Sequence, residues 1–207
     1  MQKPLCATRD ATPSTTTVLL NGPNCIGHAR CALLLSSVAT GTSRPAATLS
    51  LFLCNFVLDA LDGAVARTLK QETGFGAMFD VIIDVVSRGL LWTWAIPGPL
   101  GVLPPLLEAF TFVCTHSAGG PAWKTGGCFQ HAPAWITMTM RFRTLPGVLA
   151  IAGLFGLPMW LWALRFMPNS AFCNPWLGVI FLVGRTLAAN LTGIAKDDVD
   201  WLPQPVG

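Results

Sequence analysis

The chain has 207 residues, of which 52% are apolar and 11% charged, and its formal charge is +3. Soluble domains carry about a quarter of their residues as Asp, Glu, Lys and Arg, so this composition excludes an ordinary soluble enzyme. The small positive charge is scattered, with no basic run, which excludes a nucleic-acid-binding surface.

The Thr-, Pro- and Ser-rich start contains no apolar core of the kind a secretory signal needs, so residues 1–20 are expected to form a disordered cytosolic tail. Six windows then approach the length and apolarity that a hydrocarbon layer of about 30 Å demands. They run from Asn24 to Val38, Ala46 to Arg67, Gly74 to Ile96, Leu100 to Cys114, Leu145 to Phe166 and Trp176 to Ile194. Pro97, Pro99, Pro104 and Pro105 bracket the turn after the third window and predict a kinked start to the fourth. The glycines and prolines of Ser117 to Pro133 mark a loop, and Met167 to Pro175 a second turn. Strand-like alternation is absent, and lipid tolerates only helices or closed barrels. The fold class is therefore all-α: a polytopic integral membrane protein with six transmembrane helices, spanning residues 21–196, with residues 197–207 as a second cytosolic tail.

Cationic residues orient this arrangement. With both termini cytosolic, Lys3, Arg9, Arg67, Lys70, Lys124, Arg141, Arg143 and Lys196 fall inside, while mainly Arg44 and Arg165 fall outside. That is the asymmetry of the positive-inside rule. The seven cysteines are odd in number and form no C-x-x-C pair, so they are expected as small apolar packing residues.

The chain has ten acidic residues, and four of its aspartates lie within Leu58 to Asp84, LDALDGAVARTLKQETGFGAMFDVIID. An Asp at the centre of a span costs about 2.5 to 3.5 kcal/mol, so Asp59, Asp62, Asp80 and Asp84 require compensation. Helical spacing puts Asp59, Asp62 and Ala66 on one face, and Gly76, Asp80 and Asp84 on another. If the two helices meet, the carboxylates converge and repel unless a cation sits among them. Oxygen-only donors favour hard ions such as Mg²⁺ or Mn²⁺, which keep positions open for phosphate oxygens. The expected ligand is thus a phosphate or diphosphate. Arg67 can supply a bidentate contact to it, Gly63 and Ala66 leave room beside the backbone, and Gly76 lets helices approach. The bland alternative, structural ion pairing, leaves four Asp against one nearby Arg.

Other features carry less. Cys114-x-His116 with Cys128-x2-His131 fits no common structural zinc spacing. Asn190-Leu191-Thr192 matches a glycosylation triplet but falls inside the last span. Trp92, Trp94, Trp160, Trp162 and Trp176 are expected in interfacial belts or on lipid-facing surface. Arg141 and Arg143 are expected as inside-facing topology charges, with anionic lipid headgroups or a substrate phosphate as the alternative.

Written out, the acidic pattern is Asp59-x2-Asp62-Gly63-x2-Ala66-Arg67-x8-Gly76-x3-Asp80-x3-Asp84. It resembles the complete signature of the CDP-alcohol phosphatidyltransferases. Within that family it is most similar to the inositol enzymes of eukaryotes, through Asp59 to Gly63, Ala66-Arg67, Gln71 and Phe75 to Met78. PNCIGHAR, Pro23 to Arg30, is similar to the opening of their first span, and the last span with Arg185 is similar more faintly.

The resemblance implies a six-helix membrane enzyme, usually a homodimer, with an active-site cavity open to the cytosol; an endoplasmic-reticulum membrane suits a signal-less polytopic lipid enzyme. It implies two divalent ions, Mg²⁺ or Mn²⁺, on Asp59, Asp62, Asp80 and Asp84. Asp62, Gly63, Ala66, Arg67, Gly76 and Asp80 would bind CDP-diacylglycerol, and Asp84 would be the base. The acceptor would be myo-inositol, giving phosphatidylinositol and CMP. The inositol enzymes commonly carry Arg directly after the last Asp, where this chain has Val85; Arg88, one turn on, is the candidate acceptor contact. LEAFTFVCTH in the fourth span also departs from their Asp and Ser-His-Trp cluster. Glycerol phosphate, serine or a second lipid therefore stay open as acceptors. Two other classes are weighed against this one, an aspartate-rich membrane prenyltransferase and a non-enzymatic transporter or scaffold.

Overall fold

The structure is a computed structural model that describes residues 20–69, 71, 73–119 and 144–197, with backbone alone for 114–119 and 190–197. Both expected tails, apart from Leu20 and Asp197, and the loop beyond Gly119 lie outside the described residues. So do Lys3, Arg9, Lys70, Lys124, Cys128, His131, Arg141 and Arg143, and the side chains of Cys114, His116, Asn190 and Lys196.

Among the described residues the chain forms six α-helices and no strand. They are α1 (Gly22–Thr40), α2 (Pro45–Leu69), α3 (Gly74–Ala95), α4 (Pro99–Gly119), α5 (Leu145–Phe166) and α6 (Pro175–Asp197), with a 3₁₀ turn at Ala171–Cys173 before α6. Their ends fall close to the six expected windows. The largest difference is at α4, which runs to Gly119 instead of Cys114 because no helix breaker precedes the Gly119-Gly120 pair. Two helices, Pro45–Leu69 and Leu145–Phe166, are long and apolar enough to cross a membrane.

Local chemistry starts and stops these helices. Asn21 caps α1 by accepting from the Asn24 amide at 2.9 Å, with Pro23 in the first turn where its missing N–H costs nothing. Gly41 closes α1 at φ 49°, a left-handed value that favours glycine. Thr73 and Thr144 cap α3 and α5 in the same way as Asn21. The third inter-helix turn passes through Gly98 at φ 89°, after which Pro99 opens α4. Pro104 and Pro105 lie inside α4 instead of in the turn before it. They remove two ladder donors there, and the Pro105 ring packs against Gly89 of α3, 3.4 Å from where a Cβ would lie.

α1 and α2 form an antiparallel hairpin tied by the Thr48 hydroxyl, which donates to Gly41 O at 2.6 Å and lies 2.8 Å from the Thr40 hydroxyl. α5 and α6 pack backbone to backbone: a Cβ at Gly184 would lie 1.9 Å from Leu149 O, and one at Gly153 would lie 2.1 Å from Arg185 N. Small residues permitting close approach are the usual device of helix pairs in lipid. The shared core, Leu34, Leu49, Phe52, Leu91, Met159, Trp162 and Ala163, draws on α1, α2, α3 and α5. Trp92 and Trp162 therefore serve the interior and not the expected interfacial belt, whereas Trp176 is exposed. Arg165 donates to Trp94 O and Ala95 O at 3.0 and 3.2 Å, satisfying orphan carbonyls at the end of α3. Large apolar side chains such as Leu35, Val57, Leu106, Leu107 and Val179 cover the outside, a surface that fits lipid and not water.

Candidate active site

α1, α2 and α3 converge on one guanidinium. Arg30 sits midway along α1 with only 1% of its side chain exposed, and it faces the acidic sides of both neighbours. Its Nη1 lies 2.9 Å from Asp59 Oδ1, 2.9 Å from Asp62 Oδ2 and 2.6 Å from Asp80 Oδ1, and its Nη2 lies 2.5 Å from Asp84 Oδ1. The two expected faces of α2 and α3 do meet, and all four aspartates surround a single cation.

Arg30 is itself aimed by Asn55 of α2. The Arg30 Nε donates to Asn55 Oδ1 at 3.1 Å, while Asn55 Nδ2 reaches Ser87 Oγ of α3 at 3.3 Å and Arg30 O at 3.4 Å. Close approach of α1 and α3 is set by two glycines. A Cβ at Gly27 would lie 2.9 Å from the Phe79 ring, and one at Gly76 would lie 2.7 Å from Asn24 Oδ1. Gly76 thus borders Asn24 and Thr73, a packing position between helices.

The acids remain reachable. Their side chains are 13% to 24% exposed, against 1% for Arg30, so the guanidinium plugs the inner side and leaves carboxylate oxygens open on the other. One oxygen each from Asp59, Asp62 and Asp80 lie within 4.8 Å of one another, a spacing at which a divalent ion can bridge. The donors are all hard oxygen, and one guanidinium cannot balance four carboxylates, so the set fits Mg²⁺ or Mn²⁺ and not a soft metal. Gly63 and Ala66 follow on the same end of α2. The atoms nearest to a Cβ at Gly63 would be those of the Arg67 guanidinium, the closest at 3.2 Å, and Arg67 is exposed.

Arg88 reaches the cluster from α3, with Nη1 3.2 Å from Asp84 Oδ2. It is not free, since its Nε donates to Glu108 Oε2 of α4 at 2.6 Å. Glu108 Oε1 in turn lies 2.8 Å from Arg185 Nη1 of α6. Beside Arg88 is a gap with room for little more than a water molecule, bordered by Asn55, Ser87, Phe155 and Met159.

Sequence reasoning placed the four aspartates and missed the residues that hold them. Arg30, Asn55, Ser87 and Glu108 are polar groups on otherwise apolar spans, the same signal that singled out the aspartates. Arg30 ends the PNCIGHAR stretch, and its buried charge at mid-helix required a partner of opposite sign.

A family model described as CDP-alcohol phosphatidyltransferase matches residues 20–119. Three relatives carry the name CDP-diacylglycerol--inositol 3-phosphatidyltransferase, one of them with "probable" before it and a number after. The Rattus norvegicus protein is 40% identical over 100 residues, 48% of this chain and 47% of its own. The Candida albicans protein is 34% identical over 97 residues, 47% and 40% of the two chains. The probable Arabidopsis thaliana enzyme is 37% identical over 81 residues, 38% and 35% of the two. These alignments span less than half the length of each relative. No solved structure matches. With all eight positions of its acidic signature present and its four aspartates gathered at one point, the chain is similar to the CDP-alcohol phosphatidyltransferases over residues 20–119, just under half of its length.

Proposed function

We propose that the protein makes phosphatidylinositol by moving the phosphatidyl group of CDP-diacylglycerol to myo-inositol, with release of CMP. The observation that carries this reading is the convergence of Asp59, Asp62, Asp80 and Asp84 on one half-open point, in a chain whose named relatives are inositol phosphatidyltransferases. Asp59, Asp62, Asp80 and Asp84 would hold two divalent ions, which supply charge neutralisation on the attacking and departing oxygens when bound.

Charge supports this assignment. The four aspartates and Glu108, set against Arg30, Arg88 and Arg185, leave a net charge of −2. Two divalent ions turn that into +2, which a diphosphate diester of charge −2 neutralises. Asp62, Gly63, Ala66, Arg67, Gly76 and Asp80 are assigned to CDP-diacylglycerol; Arg67 offers its guanidinium to phosphate, and Gly76 acts by bringing α1 and α3 together. Asp84 accepts the proton of the inositol hydroxyl as that oxygen attacks the lipid-side phosphorus, and the bond to the CMP oxygen breaks. Arg88 borders the acceptor side. Because Glu108 and Asp84 already engage it, it offers little to a phosphorylated alcohol. That favours a neutral polyol over glycerol phosphate.

The same reading gives all six helices as membrane crossings, a cavity open to the cytosol, a homodimer, and residence in the endoplasmic reticulum. The apolar outer surface supports the crossings and the bias of Lys and Arg supports the orientation. The test is to incubate membranes containing the protein with CDP-diacylglycerol, Mn²⁺ or Mg²⁺, and a panel of labelled alcohols. CMP released with inositol alone is the expected result. No CMP with any alcohol, where a control synthase works, overturns the enzyme reading; CMP with another alcohol reassigns the acceptor.

A further inference from the structure

Arg88 is held from three directions. Its Nε is on Glu108, its Nη1 is on Asp84, and its guanidinium carbon stands 4.6 Å from the centroid of the Phe155 ring. The three partners come from α4, α3 and α5. Glu108 is 8% exposed and serves two cations, Arg88 through Oε2 and Arg185 through Oε1. Arg185 lies outside the 20–119 match, so the contact joins the aspartate cluster to the far half of the chain.

A guanidinium beside a carboxylate favours a two-pronged contact that occupies both oxygens. Here Arg88 makes a one-pronged contact with Asp84 at 3.2 Å, because its Nε edge is turned to Glu108. We infer that Glu108 is a positioning residue: it limits Arg88 to a single 3.2 Å contact with Asp84, so that the Arg88 fork does not close over the aspartate and a divalent cation can compete for it. Arg185 offsets the second Glu108 oxygen and ties the assembly to α6. The inference rests on the assignment of the aspartates as cation ligands.

Without Glu108, the Arg88 fork turns onto Asp84 and competes with the cation. Outer partners of metal ligands typically change affinity by about 10- to 100-fold when lost, and Glu108→Gln is expected to weaken Mn²⁺ binding within that range. The measurement is free Mn²⁺ by electron paramagnetic resonance, titrated into the purified full chain in detergent. Two double variants separate geometry from net charge, since both restore the wild-type total. Glu108→Gln with Arg88→Gln removes the fork and recovers Mn²⁺ affinity. Glu108→Gln with Arg185→Gln leaves the fork loose and stays weak.

Wild-type affinity in Glu108→Gln, or recovery in the Arg185 double variant, overturns the inference. Where Glu108→Gln yields no folded protein, Glu108→Asp decides: its shorter carboxylate loses one of the two guanidinium contacts, and weakened binding supports the inference while wild-type binding overturns it. A wild-type chain that binds no Mn²⁺ overturns both this and the cation-ligand assignment. One whose Mn²⁺ affinity depends on Glu108 as expected, yet which releases no CMP with any alcohol, overturns the proposed reaction alone.

Discussion

Arg30→Gln tests the organisation of the site most directly. In the wild type one guanidinium, 1% exposed, touches four carboxylates at 2.5 to 2.9 Å. Without it, Asp59, Asp62 and Asp80 face one another with oxygens within 4.8 Å. At an effective dielectric of about 20, each such pair repels by about 3.5 kcal/mol. Proton uptake relieves much of that, so the expected loss is the about 3 to 5 kcal/mol of a broken buried ion pair. For a chain of this size it corresponds to a fall in Tm of about 6 to 20 °C. A divalent ion supplies the missing positive charge, so Mn²⁺ should raise the Tm of Arg30→Gln by more than it raises that of the wild type. Thermal unfolding of the detergent-purified chain, with and without Mn²⁺, measures both quantities. A variant that melts with the wild type and responds equally to Mn²⁺ refutes the idea that Arg30 holds the carboxylates together.

Three further outcomes follow from the same geometry. Asp84→Asn should abolish CMP release while leaving CDP-lipid binding largely intact; turnover at the wild-type rate removes Asp84 as the base. Chelation with EDTA should stop turnover, and Mn²⁺ or Mg²⁺ should restore it where Zn²⁺ does not. Gly184→Ala places a Cβ 1.9 Å from Leu149 O, so α5 and α6 must separate; a loss of about 1 to 3 kcal/mol or more is expected by thermal unfolding, and unchanged stability contradicts the backbone contact described for this pair.

The helices and the acids were legible because both depend on local rules. Proline, glycine and capping residues bound each apolar window, and the intervals of three and four residues put the aspartates on helical faces whatever the surroundings. What the spacing could not supply was the third helix at the meeting point. Arg30 is 29 residues from Asp59 and 54 from Asp84 in the chain, and only packing through Gly27 and Gly76 brings α1 against α3. Trp162 was misplaced for a related reason. A tryptophan near the end of an apolar span suits an interface, but the side chain turns inward between Leu34, Phe52 and Met159, where burial of its ring outweighs the wet site at the helix end. Arg88 was expected as a candidate contact for the acceptor, without its partners. Its engagement depends on Glu108, which lies on a helix that enters the bundle by a separate turn.

How an apolar chain tolerates these charges follows from their connection. Arg30, Asp59, Asp62, Asp80, Asp84, Arg88, Glu108 and Arg185 form one unbroken series of ion contacts across α1, α2, α3, α4 and α6. Placed singly at span centres, each Asp or Arg would cost about 2.5 to 3.5 kcal/mol. Linked, every carboxylate has a guanidinium and every guanidinium a carboxylate, while α5 adds the aromatic face of Phe155 beneath Arg88. The balance is nevertheless incomplete on one side only. Glu108 has two cations, whereas the four aspartates share Arg30 and one arm of Arg88. The uncompensated negative charge therefore sits on the aspartates, whose side chains are 13% to 24% exposed, where a cation can enter, while the doubly paired Glu108 is 8% exposed. A merely structural ion-pair network has no reason to leave its deficit at the opening, whereas the proposed site for divalent ions and a diphosphate does.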